Sequence, residues 1–503
     1  MKTITADLAA RYAQAVLYCG PAENEADFIE RDSRKTGKRS IYVALQGEKN
    51  DGNIFAKSAY ENGCRIFLLS SEKIADEMKR DCSDASVILA KDTLYAMQRL
   101  AANYIASLDI KKIAITGSVG KTSTKDMIYK VMSSRYKTVC NHENFNNHIG
   151  VPLTAFRVDA DTEIGIFEMG MNHKDEIHLL ADIIRPQTAV ITNVGTSHIG
   201  NLGSRDAILA AKLEITDFMD ENSTLVYNAD NDKLSTISDT DGGERRDDGE
   251  RKDGGERRDN GERRDDGEHK DGGERRDGGY RRISVGENGD FLRIKDVKSL
   301  GEDGVEVVLE TDDEKCAFHV PLPGIHNAWN AALAAACGLL YDIPLQKSAE
   351  ALESMTGNAV RLNVTDSHGI QVINDTYNAS PDSVRAALDV LNDRKGSRYI
   401  AVLADMLELG SDSDEYHFEI GKYAAQKGTD IVVAVGENAR FIAKGAMECM
   451  DSDSVYHFGS VDEFIVKAHE IVKKGDVILV KGSHSMKMDK AAEYLTETGD
   501  WNE

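Results

Sequence analysis

Short apolar runs alternate with helical patterns along most of this chain. KKIAIT (111–116) reads as a buried strand, and KDMIYKVM (125–132) follows with Met127, Ile128, Val131 and Met132 on one helical face. EIGIFEMG (163–170), TAVITNVG (188–195) and STLVYNAD (223–230) read as further strands. This alternation predicts a mostly parallel sheet flanked by helices. The pattern restarts with RYIAVLADM (398–406), DIVVAVGEN (430–438) and DVILVKGS (476–483), which predicts another α/β unit. The first stretch of the chain reads as a separate, smaller α/β domain. The expected fold class is therefore α/β in three domains, 1–109, 110–358 and 359–503.

One segment breaks the pattern. From Gly243 the chain reads GERRDD, GERKDG, GERRDN, GERRDD, GEHKDG, GERRDG, a six-residue repeat in six copies. Residues 241–282 hold fifteen acidic and thirteen basic residues, with Tyr280 as the one aromatic and no aliphatic residue. Such a tract buries no apolar area to offset its ordering entropy, so a disordered insertion over 241–282 is expected. A hexapeptide β-helix needs apolar positions in every copy, and these copies have none.

Composition narrows the class. The 503 residues exceed what one core supports, and 41% are hydrophobic, enough for packed domains. The net charge of −25 gives no electrostatic footprint for nucleic acid and no polybasic patch for a membrane. Cysteines at 19, 64, 82, 140, 316, 337 and 449 show no metal spacing, which predicts reduced thiols in a cytoplasmic protein. The N-terminus lacks the apolar core of a secretory signal, and no run of about 18 apolar residues predicts a membrane span.

Chemistry enters with TGSVGKTST (116–124). Gly117, Ser118, Val119, Gly120, Lys121, Thr122 and Ser123 sit between a predicted strand and a predicted helix. The usual phosphate loop has four spacer residues between its glycines, and this one has two. The context is still that of an anion site, with backbone N–H groups of the turn and the helix N-terminus aimed at phosphate. Lys121 would neutralise the terminal phosphates, and the Thr122 hydroxyl would bind Mg²⁺. The loop alone does not choose between ATP and GTP. Glu168 and His198 follow strands whose carboxyl ends should lie along the same sheet edge, where open α/β sheets build their sites. Lys212, in AILAAKLEIT, reads as an exposed helical charge. Asn327 and Asn330 fall near the start of an Ala-rich helix, where Asn commonly caps.

Six motifs in order carry a family resemblance: TGSVGKTST, NFNNHIGVPLT (144–154), FEMGMNHKDEI (167–177), TNVGTSHIG (192–200), PGIHNAWNAALAA (323–335) and NDTYNASPDSVRAAL (374–388). With DSRKTGKRSIYVALQGEKNDGNIFAKSAYENG (32–63), LADMLELGSDSDEYH (403–417) and ILVKGSHSM (478–486), the chain resembles the Mur ligases over nearly its whole length except the repeat. The resemblance implies a UDP-sugar domain, a central ATPase and a Rossmann-like third domain that closes over the site. It implies that ATP phosphorylates the terminal carboxylate of a UDP-N-acetylmuramoyl-tripeptide. The amine of D-alanyl-D-alanine then attacks the acyl phosphate.

The resemblance also implies roles for single residues. Thr122 and Glu168 would hold one Mg²⁺ and His198 a second, with Lys212 carbamylated as an anionic metal-side ligand. Asn327 and Asn330 would contact the nucleotide, Asp375 would lie near the ribose, and Arg361 would reach the phosphates from the third domain. Asn144, Asn146, Tyr377 and Asn378 fall on the substrate side, and Ser33 and Arg34 in the UDP-sugar region. Four features depart from the family pattern: Ser123 for threonine in the loop, Asn53 for the histidine of DGH, Ser380 in YNASP, and the repeat, expected to be an inert loop. The expected protein is a cytoplasmic monomer. The competing readings are a sister ligase adding the diamino acid, a folylpolyglutamate synthase, and a nucleotide-driven switch or scaffold.

Overall fold

The computed structural model describes residues 1–47, 50–142, 144–238, 275–277, 279–355, 363–499 and 501. Three sheets organise them. The central one begins with Lys111–Thr116, whose side chains alternate between two covered faces. Ile113 and Ile115 pack with the helix Lys121–Met132, while Ala114 points into the opposite core. Val190 and Val226 repeat the first orientation on their own strands, and Ala189, Ile191 and Leu225 the second. A strand covered on both faces reads as a continuous apolar run, which is why these segments stood out in the sequence. The helix Lys121–Met132 buries Met127, Ile128, Val131 and Met132 completely, the face its spacing predicts. Each such side chain contributes about 1.5–3 kcal/mol relative to exposure.

Parallel neighbours run in the order Thr138–Cys140, Ile164–Glu168, Lys111–Thr116, Thr188–Ile191, Thr224–Asn228, Tyr280–Gly286 and Leu292–Ser299. The sheet then turns antiparallel through Val305–Glu310 and Lys315–Val320. The register sets Glu168 opposite Ile115 and Ile191 opposite Thr116, so the loops that follow these strands leave from one edge.

The N-terminal residues form a five-stranded sheet ordered Val16–Cys19, Ser86–Leu89, Ile66–Leu69, Ser40–Val43 and Phe28–Glu30. One face of it is not separately cored. Met97, Leu100, Tyr104 and Ile105 of the helix Thr93–Ala106 share a continuous apolar cluster with Phe156, Phe167 and Ile191 of the central unit. The C-terminal sheet is ordered Asn363–Ser367, Ile370–Asp375, Asp476–Lys481, Arg398–Ala404, Ile431–Val435 and Val455–Phe458, with its own cores on both faces.

The repeat ends earlier than its composition suggests. Residues 241–274 and 278 lie outside the described residues. Arg275–Asp277 pairs antiparallel with Tyr280–Gly286, which pairs parallel with Thr224–Asn228. Residues 280–282, expected within the disordered insertion, are therefore strand. Ile283 and Val285, just beyond the repeat, are buried, and their burial anchors the strand that the charged composition conceals. Among the described residues no helix is long and apolar enough to cross a membrane, and all seven cysteines are free thiols.

Candidate active site

The loop between Lys111–Thr116 and Lys121–Met132 is held from the neighbouring strand end. Asn193 accepts from Val119 N–H through its side chain at 3.0 Å and from Ser118 N–H through its carbonyl at 3.0 Å. Its amide and the Thr192 hydroxyl both donate to the Val119 carbonyl, at 3.0 and 2.7 Å. Gly120 closes the turn at φ +79°, and a Cβ there would lie 2.9 Å from Asn330 Oδ1. A side chain would be both strained and blocked. The first helical turn has no intrahelical acceptors for its N–H groups, which makes it an anion site. Lys121 folds back over the loop, donating to the Gly117 and Ser118 carbonyls at 2.7 and 3.3 Å.

A cavity of about 860 Å³ opens beside this loop. Its central wall includes Ser118, Val119, Gly120, Lys121, Ser123, Asn144, Asn146, His198, Asn327 and Asn330. Its other wall, from the C-terminal unit, includes Asp375, Tyr377, Asn378, Asp382 and Lys481. Thr122 is buried one residue behind the lining, in the first helical turn.

Glu168 ends its strand with 1% of its surface exposed. Its Oε1 accepts from Asn146 Nδ2 at 2.9 Å, and its Oε2 is buried without a hydrogen-bond partner. The Thr116 hydroxyl is orphaned in the same way. A carboxylate oxygen without a donor in a dry site is costly unless a cation or water meets it. The oxygen donors of Glu168 and Thr122 fit Mg²⁺, which takes few protein ligands and completes its shell with phosphate and water. His198 fits less well by donor chemistry, because imidazole favours softer divalent ions. It sits at φ +64°, with Nδ1 2.5 Å from Glu408 Oε2, and that hydrogen bond holds the Glu408 carboxyl below its usual range. Among the described residues no three His, Cys, Asp or Glu side chains form a metal-sized cluster.

Lys212 reverses its plain reading. It is not a solvated helical charge: the helix Arg205–Leu213 turns Ile208, Ala211 and Lys212 inward, leaving Lys212 1% exposed. Burial, with the Lys121 charge nearby, pushes its amine well below the usual lysine range.

A scan against family descriptions matches the Mur ligase middle domain over residues 115–244 and the "Mur ligase, glutamate ligase domain" over 360–484. The UDP-N-acetylmuramoyl-tripeptide--D-alanyl-D-alanine ligase of Bacillus subtilis (strain 168) is 34% identical over 473 residues, 93% of each chain. The chain belongs to the Mur ligase family. The same-named ligase of Escherichia coli (strain K12) is 29% identical over 95% of each chain. A crystal structure of MurF from Acinetobacter baumannii superposes with TM-score 0.82 at 25% identity, covering 99% of this chain and 100% of that one.

In this Mur ligase several expected contacts are turned inward. Asn330 Oδ1 accepts from Thr124 Oγ1 at 3.1 Å, and Asn330 Nδ2 donates to Asn327 Oδ1 at 3.0 Å. The pair pins the Asn327–Leu340 helix to the phosphate-loop helix as well as lining the cavity. Asp375 forms an ion pair with Lys481 Nζ at 2.5 Å, and Lys481 also donates to the Asn378 carbonyl at 2.9 Å. Tyr377 is exposed, its ring 6.3 Å from that of His484. Arg361 lies outside the described residues.

Ser33 and Arg34 do not line this cavity. The Ser33 carbonyl accepts from Thr36 in its own turn and from Asn62 at the end of the helix Ala56–Glu61, and Arg34 pairs with Asp32 at the exposed surface. Asn53, standing where the family pattern has histidine, is a buried staple. Its Oδ1 accepts from Ser70 and Ser71 N–H at 2.9 and 3.1 Å, and its Nδ2 donates to Asp51 and Ser70. Sequence reading passed over Asn193, Asp382, Glu408 and Lys481. Asn193 at least follows a strand's carboxyl end. The other three carry no periodicity or spacing that marks them.

Proposed function

We propose that this chain is an ATP-dependent amide-forming ligase that joins D-alanyl-D-alanine to UDP-N-acetylmuramoyl-tripeptide, in peptidoglycan precursor synthesis. The observation that carries the reading is one sheet edge bearing a phosphate loop and an orphaned carboxylate at Glu168, with the buried Lys212 amine near enough to Lys121 to feel its charge. This edge belongs to a chain that aligns over 93% of its length with a relative of that name.

A carboxylate is a poor electrophile because its leaving group would be oxide. The γ-phosphoryl group therefore passes first to the tripeptide's terminal carboxylate, forming a P–O bond while ADP leaves. The dipeptide amine then attacks the acyl carbon, phosphate departs, and the amine loses a proton. Phosphoryl transfer onto an anion needs concentrated positive charge, which Lys121 and the helix N-terminus supply. Asn193 and Thr192 hold the loop in shape before substrate arrives. Glu168, oriented by Asn146, and Thr122 would hold Mg²⁺, with His198 at a second position, and the metal would neutralise phosphate charge. The buried Lys212 amine, whose pKa burial lowers, would take up CO₂ with loss of a proton, giving a carbamate anion on the metal side. UDP-linked substrates fit a cytoplasmic enzyme.

The test is ADP release from ATP with each UDP-muramoyl peptide, with and without the dipeptide. Release that requires both the tripeptide and D-alanyl-D-alanine is expected. Release driven by a diamino acid on the shorter peptide would indicate the sister ligase, and release indifferent to every peptide would indicate a switch.

A further inference from the structure

We propose that Asp382 is a positioning residue that couples docking of the C-terminal unit to the shape of the phosphate loop. Asp382 lies in the first turn of the helix Pro381–Asn392 and crosses to the central unit. Its Oδ2 accepts from both the Thr196 N–H at 2.8 Å and the Thr196 hydroxyl at 3.1 Å. The preceding residue, Gly195, donates its N–H to Ser118 Oγ of the loop at 2.9 Å. Asn193, two residues earlier, binds the loop backbone at Ser118 and Val119. Arg205 holds the same strand end by donating to the Val194 carbonyl at 2.6 Å.

The segment Asn193–Thr196 thus touches the loop through Asn193 and Gly195 and the C-terminal unit through Thr196. The fit is close. A Cβ at Gly195 would stand 2.1 Å from Asp382 Oδ2 and 3.4 Å from Ser118 Cβ, so glycine is required for both contacts to coexist. A charged acceptor on a backbone N–H is among the stronger hydrogen bonds. Withdrawing the C-terminal unit would release Thr196 and, through Gly195, one support of the loop. The activity arm of the test below rests on the ligase reading. The structural arm does not.

The test compares Asp382→Ala, Asp382→Asn and Gly195→Ala with the full-length enzyme, by amide hydrogen exchange on peptides spanning 117–120 and 194–197. Asp382→Ala is expected to speed exchange about tenfold in both peptides, with Asp382→Asn intermediate. Gly195→Ala should do the same by steric expulsion, and adding Asp382→Ala to it should change little more. With ATP, the tripeptide nucleotide and the dipeptide, Asp382→Ala should lower kcat about tenfold or more while ADP affinity stays within about threefold. Faster exchange confined to 194–197, additive effects in the double variant, or an unchanged kcat in an active enzyme would overturn the coupling. If the wild-type enzyme does not ligate the dipeptide, the ligase reading fails and the exchange data alone decide the role of Asp382.

Discussion

The two walls of the cavity are built by different means. The central wall is built around a run of neighbouring residues, 117–123, whose backbone is clamped by the side chains of Thr192 and Asn193 and backed by fully buried strands. The C-terminal unit meets the central one at a few points: Asp382 on Thr196, Glu408 on His198 through its side chain and on the Gly200 N–H through its carbonyl, Arg394 on Glu302, and Ile199 against the C-terminal core. Hydrogen bonds of this kind contribute about 1 kcal/mol each, and somewhat more where charged. The lesson is one of division. One wall is a loop whose backbone is fixed in advance by its neighbours, and the other meets it through a few separate contacts, the arrangement expected of a proposed two-substrate ligase that must admit and release its ligands.

The largest test of that division falls on the central wall. Lys121→Ala should leave the fold intact, because the loop it donates to is also clamped by Thr192 and Asn193, and should lower ligation by about 10²–10³-fold or more. Circular dichroism with ADP-release kinetics checks it. Near wild-type turnover would remove Lys121 from the chemistry and erase the contrast between the walls.

The next effect belongs to the C-terminal wall and should appear as stability. Lys481 is 2% exposed and Asp375 11%, so Asp375→Ala strands a buried cation. About 3 kcal/mol of destabilisation is expected, because a lone buried charge loses both water and partner. Urea unfolding followed at Trp501, which is buried in the C-terminal core, reads this unit once Trp329 of the central unit is replaced by Phe in both proteins compared. A loss under about 1 kcal/mol would mean that the pair is solvated and that Asp375 is free to face a ligand.

Acid should loosen the same unit by a smaller amount. His417 is fully buried, and burial lowers its pKa. Its Nε2 accepts from Met406 N–H at 2.9 Å while Nδ1–H donates to the Ser413 carbonyl at 2.7 Å, which requires the neutral ring. Unfolded histidine titrates near 6.5, so below that pH the unfolded chain binds a proton that the folded chain refuses. The stabilisation is complete above about pH 6.5 and is lost as pH falls toward the folded-state pKa. Thermal melts from pH 7.5 to 5 should decline, and His417→Gln should flatten that decline at a cost of about 1 kcal/mol at neutral pH. An equal slope in the variant would assign the acid sensitivity elsewhere.

What the sequence revealed follows the same division. Strands buried on both faces announce themselves as apolar runs, so Lys111–Thr116 was legible to the residue, and with it the loop and Glu168. Contacts between units leave no such trace. Asp382 in a helix's first turn looks like an ordinary complement to the helix dipole, and Glu408 sits in a segment without periodicity. Lys212 was misread for a related reason: a single charged residue on an apolar helical face resembles surface until its neighbours in space are known. Asn53, a departure from the family's histidine, shows the other side of this: the four hydrogen bonds of its side chain are all internal, a structural role that the substitution alone does not reveal.

The repeat offers the smallest effect and sharpens where the central unit ends. Excising the first five copies, residues 243–272, leaves the sixth copy, whose Arg275–Asp277 pairs with Tyr280–Gly286. Shortening a loop changes closure entropy only logarithmically, so stability should move by less than about 1 kcal/mol and activity by less than a few-fold. Removing 241–282 instead deletes Arg281 and Arg282, the partners of Thr224 and Leu225 in the sheet register. It also detaches the strand that buries Ile283 and Val285 beside the phosphate-loop helix. That longer deletion should lower the melting temperature by several degrees and reduce activity with it. Equal behaviour of the two deletions would show that pairing at 280–282 does not support the sheet, and that the charged tract reaches as far as its composition alone implies.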